Sequence, residues 1–118
     1  MASQHRKHRG YETQRLVASW FREHGFPYAT AAGAGQTGVD ILHMPRLAPE
    51  VKGRRNLDLP GFLRQAGRNA GEDLPFLVVR PDGYGPARIK EWAMVFTLDH
   101  GTGLLLSAGY GESPSGDL

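Results

Sequence analysis

The chain contains no cysteine, so no disulfide braces it and no thiolate can hold a metal; any metal ion has to be bound by oxygen or imidazole donors. It also lacks an apolar run approaching the roughly 20 residues that a membrane-spanning helix needs. The amino-terminal segment carries Arg6, Lys7 and Arg9 with His5 and His8 and has no apolar stretch after it, which excludes a secretory signal and points to a cytoplasmic setting. Internal repeats are absent. The Gly33 to Gly38 segment is glycine-rich but does not end in Gly-Lys-Ser/Thr, so it is no Walker loop. With 118 residues there is room for one compact domain and not for two.

What is there is an ordinary globular composition, 40% hydrophobic and 22% charged, with a small net charge of +2 but a pI of about 9.2. The positive residues gather in two places, His5-Arg6-Lys7-His8-Arg9 and Lys52-Gly53-Arg54-Arg55. Both can meet a phosphate backbone through charge and counterion release, although a solvated basic tail explains the first equally well.

Leu16, Val17, Trp20 and Phe21 fall on one helical face between Tyr11 and His24, with Gly25 placed to end that helix in a left-handed conformation. A strand within Phe26 to Ala32, a flexible loop to Gly38, a strand Val39 to Leu42 and a third strand around Glu50-Val51-Lys52 follow, the last two joined as a hairpin at Met44-Pro45-Arg46. Asp58 is an N-cap for a helix through Phe62, Leu63, Ala66 and Ala70 that stops near Gly71. Pro75 to Arg80 is a compact apolar strand whose lack of alternation predicts burial on both faces and a central place. After a loop at Pro81 to Pro86, a strand spans Trp92 to Phe96, and Asp99 caps a short helix through Leu104 to Leu106. Trp20, Phe21 and Trp92 are core candidates. The order is helix, three strands, helix, two strands, helix: an α/β layered domain with a mixed five-stranded sheet. Residues 1–9 form a basic arm, 10–110 the domain, and 111–118 a frayed tail.

Residues two apart on a strand share a face, so Glu50 and Lys52 project together while Val51 turns to the other layer. If the preceding strand pairs with this one, Asp40 joins them. Two carboxylates side by side repel and raise one another's pKa, and a divalent cation is the usual reason for them to coexist; oxygen donors without cysteine suit Mg²⁺ or Mn²⁺. Glu12 lies early in the first helix on the side of Leu16 and is expected to face the sheet. His24, His43 and His100 are too scattered to form a metal set and read as surface or loop residues.

Glu12, then Gly38-Val39-Asp40-Ile41, then Glu50-Val51-Lys52, then Gln65-Ala66 on the next helix make a pattern that resembles the PD-(D/E)xK nuclease superfamily, and within it the archaeal-type Holliday junction resolvases and their bacteriophage relatives. The likeness spans about Gly10 to Val79. It implies a restriction-endonuclease-like fold and a Mg²⁺-dependent DNA endonuclease. By the same resemblance Asp40, Glu50 and the Val51 carbonyl are metal ligands, Glu12 an accessory acid, Lys52 the catalytic lysine and Gln65 an orienting helix residue, and the products carry 5′-phosphate and 3′-hydroxyl ends. Two positions depart from the family. Val39 replaces its proline before the aspartate, and Pro49 stands where an apolar strand residue is usual, which predicts a late strand start or a bulge because proline cannot donate to a ladder.

DNA contacts are expected from Arg54 and Arg55, the arm residues Arg6, Lys7 and Arg9, Arg15, and Gln36 and Thr37 of the glycine-rich loop. Cutting a four-way junction into two duplexes takes two related incisions, so a two-fold homodimer is expected, with Leu104, Leu105, Leu106 and Tyr110 as a surface for it. Two other readings fit the same residues: a nuclease for flap, nicked or duplex DNA, and a DNA-binding module without catalysis.

Overall fold

The computed structural model describes the backbone of residues 2–33, 38–53 and 56–112, with side chains from residue 9 onward. The chain runs α1 (Ala2–Glu23), β1 (Thr30–Ala31), β2 (Ile41–Leu42), β3 (Leu47–Lys52), α2 (Leu59–Ala70), β4 (Leu74–Val79), a 3-10 segment (Pro86–Glu91), β5 (Ala93–Val95) and α3 (Leu98–Ser107). The α/β order matches the pattern of the sequence, with the 3-10 segment added. None of the helices described is long and apolar enough to cross a membrane.

The first helix begins at Ala2 and continues without a break through Gly10, where a domain boundary was expected. Residues 2–9 contain no proline, and one internal glycine costs only about 1 kcal/mol, too little to stop a helix. Its buried face is Thr13, Val17, Ala18 and Phe21. It closes as expected at Gly25, whose φ is 108°, with the Phe26 N–H donating to the Phe21 carbonyl at 2.9 Å. The strand foreseen over Phe26 to Ala32 shrinks to Thr30–Ala31, because Phe26 instead packs edge-on against Phe21 and its carbonyl closes a turn on Ala29.

Strand β3 runs parallel to β4 through the α2 crossover, and β5 lies antiparallel on the far side of β4, which puts β4 in the centre of a three-stranded mixed sheet. As its sequence predicts, β4 is covered on both sides. Phe76 and Val78 pack toward α1 with Val17 and Phe21, while Leu77 and Val79 pack toward α2 with Ala66. The same alternation in β3 sends Val51 into the α1 layer and Glu50 and Lys52 toward α2.

The other two strands form a separate antiparallel pair, β1 with β2, so the expected five-stranded sheet is divided into two and three. Pro49 explains the division. It sits inside β3, fully buried and in register with Phe76, so the strand neither starts late nor bulges there. Its carbonyl faces β2 and accepts the Asp40 N–H at 3.2 Å, and a residue in a strand presents its N–H and C=O to the same neighbour. The donor that proline lacks is therefore missing on the β2 side only, where the ladder fades, while the β3–β4 ladder stays intact. The turn between β2 and β3 holds His43 and Arg46 in left-handed conformations (φ 63° and 66°).

Asp58 caps α2 as its sequence suggests, its Oδ1 accepting the Gly61 N–H at 3.0 Å, with Pro60 in the first turn. The last helix is capped by Thr97 and not by Asp99: the Thr97 hydroxyl accepts the His100 N–H at 3.1 Å, and Asp99 falls within the first turn. Trp92 and Phe21 are buried and Trp20 is half-buried against the same core. Leu77 is wholly enclosed between β4 and α2, so Leu77→Ala is expected to cost about 2–5 kcal/mol of unfolding free energy. Leu98, 88% exposed, should cost under about 0.5 kcal/mol on the same change. Urea unfolding of the two variants checks the contrast.

Candidate active site

Asp40 is fixed from three directions. Its N–H donates to the Pro49 carbonyl, its own carbonyl accepts the Ala32 N–H at 2.8 Å, and its Oδ2 accepts the Val51 N–H at 2.8 Å. The side-chain bond replaces a rung of the ladder that Pro49 interrupts. A carboxylate thus takes the place of a backbone carbonyl beside β3, and the Val51 carbonyl leaves the strand on that same side.

Glu50, the neighbour of Val51, is only 4% exposed and sits beneath α2. The Asn69 amide donates to Glu50 Oε1 at 2.9 Å and approaches the Gly38 carbonyl at 3.5 Å, the limit of a hydrogen bond. Burial and the adjacent charge of Asp40, whose carboxyl lies within hydrogen-bonding reach, push the Glu50 carboxyl up to about 7 against the opposing pull of the Asn69 amide and the Lys52 charge. Lys52, two residues on and on the same face, is half-buried with its ammonium 4.5 Å from the Phe62 ring centroid. Asp40 and Glu50 are therefore neighbours at the Val51 peptide, with Lys52 on the same face of β3 as Glu50.

The other residues singled out in the sequence are arranged differently. Glu12 is exposed and does not face the sheet, because the buried face of α1 is centred one residue on, at Thr13; no described hydrogen bond or ion pair joins it to Asp40 or Glu50. Gln65 is exposed on α2 and makes no described contact with the pair, and it is Asn69, one turn further along the same flank, that reaches Glu50. Glu12 and Arg15 both line a groove of about 520 Å³ along α1, together with Tyr11, Ser19 and Arg22. Arg15 also lies over the Tyr11 ring, and Arg9 is exposed. Gln36, Thr37, Arg54 and Arg55, and the side chains of Arg6 and Lys7, lie outside the described residues. His24 bonds the Trp20 carbonyl at the surface, and His43 is exposed in the β2–β3 turn beside a mostly apolar cavity of about 680 Å³, away from the carboxylates.

Among the described residues no three acidic or histidine side chains converge. The donor set is two carboxylates and a peptide carbonyl, all hard oxygens, with the Glu50 carboxyl raised by burial and by Asp40. That chemistry fits Mg²⁺ or Mn²⁺, which fill their remaining positions with water. No family model matches the chain, and neither the curated proteins nor the solved structures contain a significant match to it.

A carboxyl raised in the folded state is a stability statement. Between its ordinary value of 4.5 and about 7 the folded protein binds more protons at Glu50 than the unfolded chain does, so stability falls as pH rises through that window. The loss is on the order of 3 kcal/mol at most. Thermal melting in EDTA should show the decline between about pH 5 and 7, Glu50→Gln should flatten it, and Mg²⁺ added above pH 7 should restore the melting temperature of the unaltered protein by binding the folded state.

Proposed function

We propose that this chain is a Mg²⁺-dependent DNA endonuclease with a restriction-endonuclease-like fold, resembling the PD-(D/E)xK resolvases in its site and in its order of elements. The observation that carries the reading is the meeting of Asp40, Glu50 and Lys52 around the Val51 peptide. The parallel β3–α2–β4 unit, with the acidic strand first and β5 antiparallel beyond β4, supports it.

Asp40, Glu50 and the Val51 carbonyl would hold the ion, which supplies charge for the scissile phosphate and lowers the pKa of a bound water. The chain's own groups then have definite tasks. The Val51 N–H fixes Oδ2 of Asp40. Asn69 holds Oε1 of Glu50. Lys52, kept partly dry by Phe62, presents an ammonium where negative charge develops on the phosphate or where the attacking water must be aligned. Glu12, apart from the pair, is left with an accessory role through water. Arg54, Arg55 and the basic residues 6–9 supply sequence-independent phosphate contacts.

Four-way junctions are the proposed substrate and a two-fold homodimer the active species. Helix α3 supports the dimer: ten residues long, it has no fully buried residue and packs on the domain mainly at His100 and Gly101, and helices that short are marginal in water without a packing partner. Leu98, Leu104, Leu105 and Leu106 are exposed along it, Tyr110 is exposed just beyond its end, and Met94 of the adjacent strand β5 is exposed as well.

Asp40→Asn, Glu50→Gln and Lys52→Ala are expected to lower cleavage at least about 10³-fold while DNA binding in EDTA changes little, since ligation and transition-state charge belong to chemistry and binding to arginines elsewhere. Full activity in either carboxylate variant rejects the assignment. A panel of junction, flap, nicked and duplex DNA across a Mg²⁺ series separates a resolvase from a general nuclease, and absence of any metal-dependent cut leaves a DNA-binding module. Light scattering should show a dimer that Leu105→Asp converts to monomer; a monomeric unaltered protein removes the resolvase reading.

A further inference from the structure

Arg80 follows the last residue of β4, and its N–H extends the parallel ladder by one step, donating to the Lys52 carbonyl at 2.8 Å. Its side chain turns toward α1, as those of Phe76 and Val78 do. There Nη1 donates to the buried Thr13 hydroxyl at 3.0 Å, Nε donates to the Tyr84 carbonyl at 3.1 Å, and the guanidinium lies over the ring of buried Trp92, 5.1 Å from its centroid. It is half-buried, and the hydrogen bonds described for its guanidinium go to two neutral oxygens, a hydroxyl and a backbone carbonyl.

A cation withdrawn from water is ordinarily matched by an anion, and an arginine kept only for packing would be expected to have one inside the protein. A guanidinium carries five N–H donors, and two of these are committed to neutral oxygens. Those two bonds and the stacking on Trp92 hold the remaining donors in a fixed orientation, which suits bidentate recognition of an oxyanion. The position is also telling. Arg80 touches the residue next to Glu12 on one side and the strand end of Lys52 on the other, at the carboxyl ends of two neighbouring parallel strands, the side on which α/β sheets bind ligands. A Cβ at Gly53 would lie 3.7 Å from the Arg80 Cβ, so the residue that follows Lys52 stands next to it.

We infer that Arg80 is a pre-oriented phosphate-binding residue that holds a nucleic-acid backbone at the carboxyl ends of β3 and β4, on the face of the sheet opposite Glu50 and Lys52. The identity of the strand rests on the nuclease reading, while the recognition of phosphate is measurable without it. In EDTA, where nothing is cut, duplex DNA of arbitrary sequence is titrated against the unaltered protein, Arg80→Gln, Arg80→Lys and Arg46→Gln over a range of salt. Arg80→Gln should weaken binding about tenfold or more and lower the salt dependence by about one counterion. Arg80→Lys should keep the salt dependence and recover only part of the affinity, since an ammonium lacks the fork. Arg46→Gln, at the opposite end of β3, should change neither. Unchanged affinity and salt dependence in an Arg80→Gln protein that melts like the unaltered one overturn the inference, as does an equal loss in Arg46→Gln. Because Arg80 also ties α1 to the Tyr84 segment, the unaltered protein supplies a second measurement. Its Arg80 Nε–Hε NMR resonance should move strongly with a short oligonucleotide and weakly with inorganic phosphate, and a resonance that moves with neither overturns the inference. Failure of the nuclease reading appears separately, as absence of metal-dependent cleavage by the unaltered protein.

Discussion

The arrangement of the site depends on one hydrogen bond, from the Val51 N–H to the Asp40 carboxylate. In a regular hairpin that N–H would meet a backbone carbonyl of β2 and every side chain between the strands would point away from the seam. Pro49 removes the adjacent donor, the β2–β3 ladder lapses, and a side chain enters the seam as the acceptor. The same event fixes Asp40 against β3, brings its carboxyl to Glu50, and leaves the Val51 carbonyl on the side where both carboxylates stand. A proline that looks like a defect in the strand is, in this geometry, the reason that a carboxylate stands in the seam.

The burial of Glu50 is the matching constraint. A carboxyl taken out of water beside a second carboxylate resists ionisation, and the folded chain answers with the Asn69 amide, whose hydrogen bond favours the charged form, and with the Lys52 ammonium on the same face. Neither fully compensates, since the group remains raised to about 7. The α2 layer therefore contributes to the site through Asn69 and Phe62, while the opposite face of the same sheet packs Val17, Phe21, Phe76 and Val78 into the main core. The α2 face is kept polar at β3 alone, while at β4 it packs Leu77 and Val79 on Ala66.

Much of this was legible in the residues because it depends on short periods. The alternation of Glu50, Val51 and Lys52 set two side chains on one face and one on the other, the unbroken apolar run of β4 gave its central place, and Asp58 and Gly25 marked helix ends. What escaped depends on register between elements. Which residue of α2 would stand over Glu50 could not be read from the helix alone, since Gln65 and Asn69 share a flank and only the height of α2 above the sheet chooses Asn69. The buried face of α1 missed by one residue, a rotation of about 100° that is enough to turn Glu12 outward and Thr13 inward. Thr97 and Asp99 competed for the cap of α3, and the extended backbone at Thr97 decided it.

The inward turn of Thr13 has a consequence for the whole edge of the molecule. With its hydroxyl buried, Thr13 needs a donor within reach, and Arg80 provides it from the end of β4. That contact joins the first helix to the strand whose N–H groups are in ladder with β3, so α1, β4 and the strand bearing Glu50 and Lys52 are connected through a single residue, by its guanidinium on one side and its backbone N–H on the other. An arginine in this place spans distances that a shorter side chain could not, and it leaves part of its charge outside. Had the joint been made with an ion pair to an acid on α1, the cation would have been neutralised within the protein; made with a hydroxyl and a carbonyl, it keeps its charge at the strand ends, on the side of the sheet opposite Lys52 but at the same height. The two cations thus flank the end of the sheet from its two faces, so the positive charge there is divided between the α1 and α2 layers and not gathered in one of them.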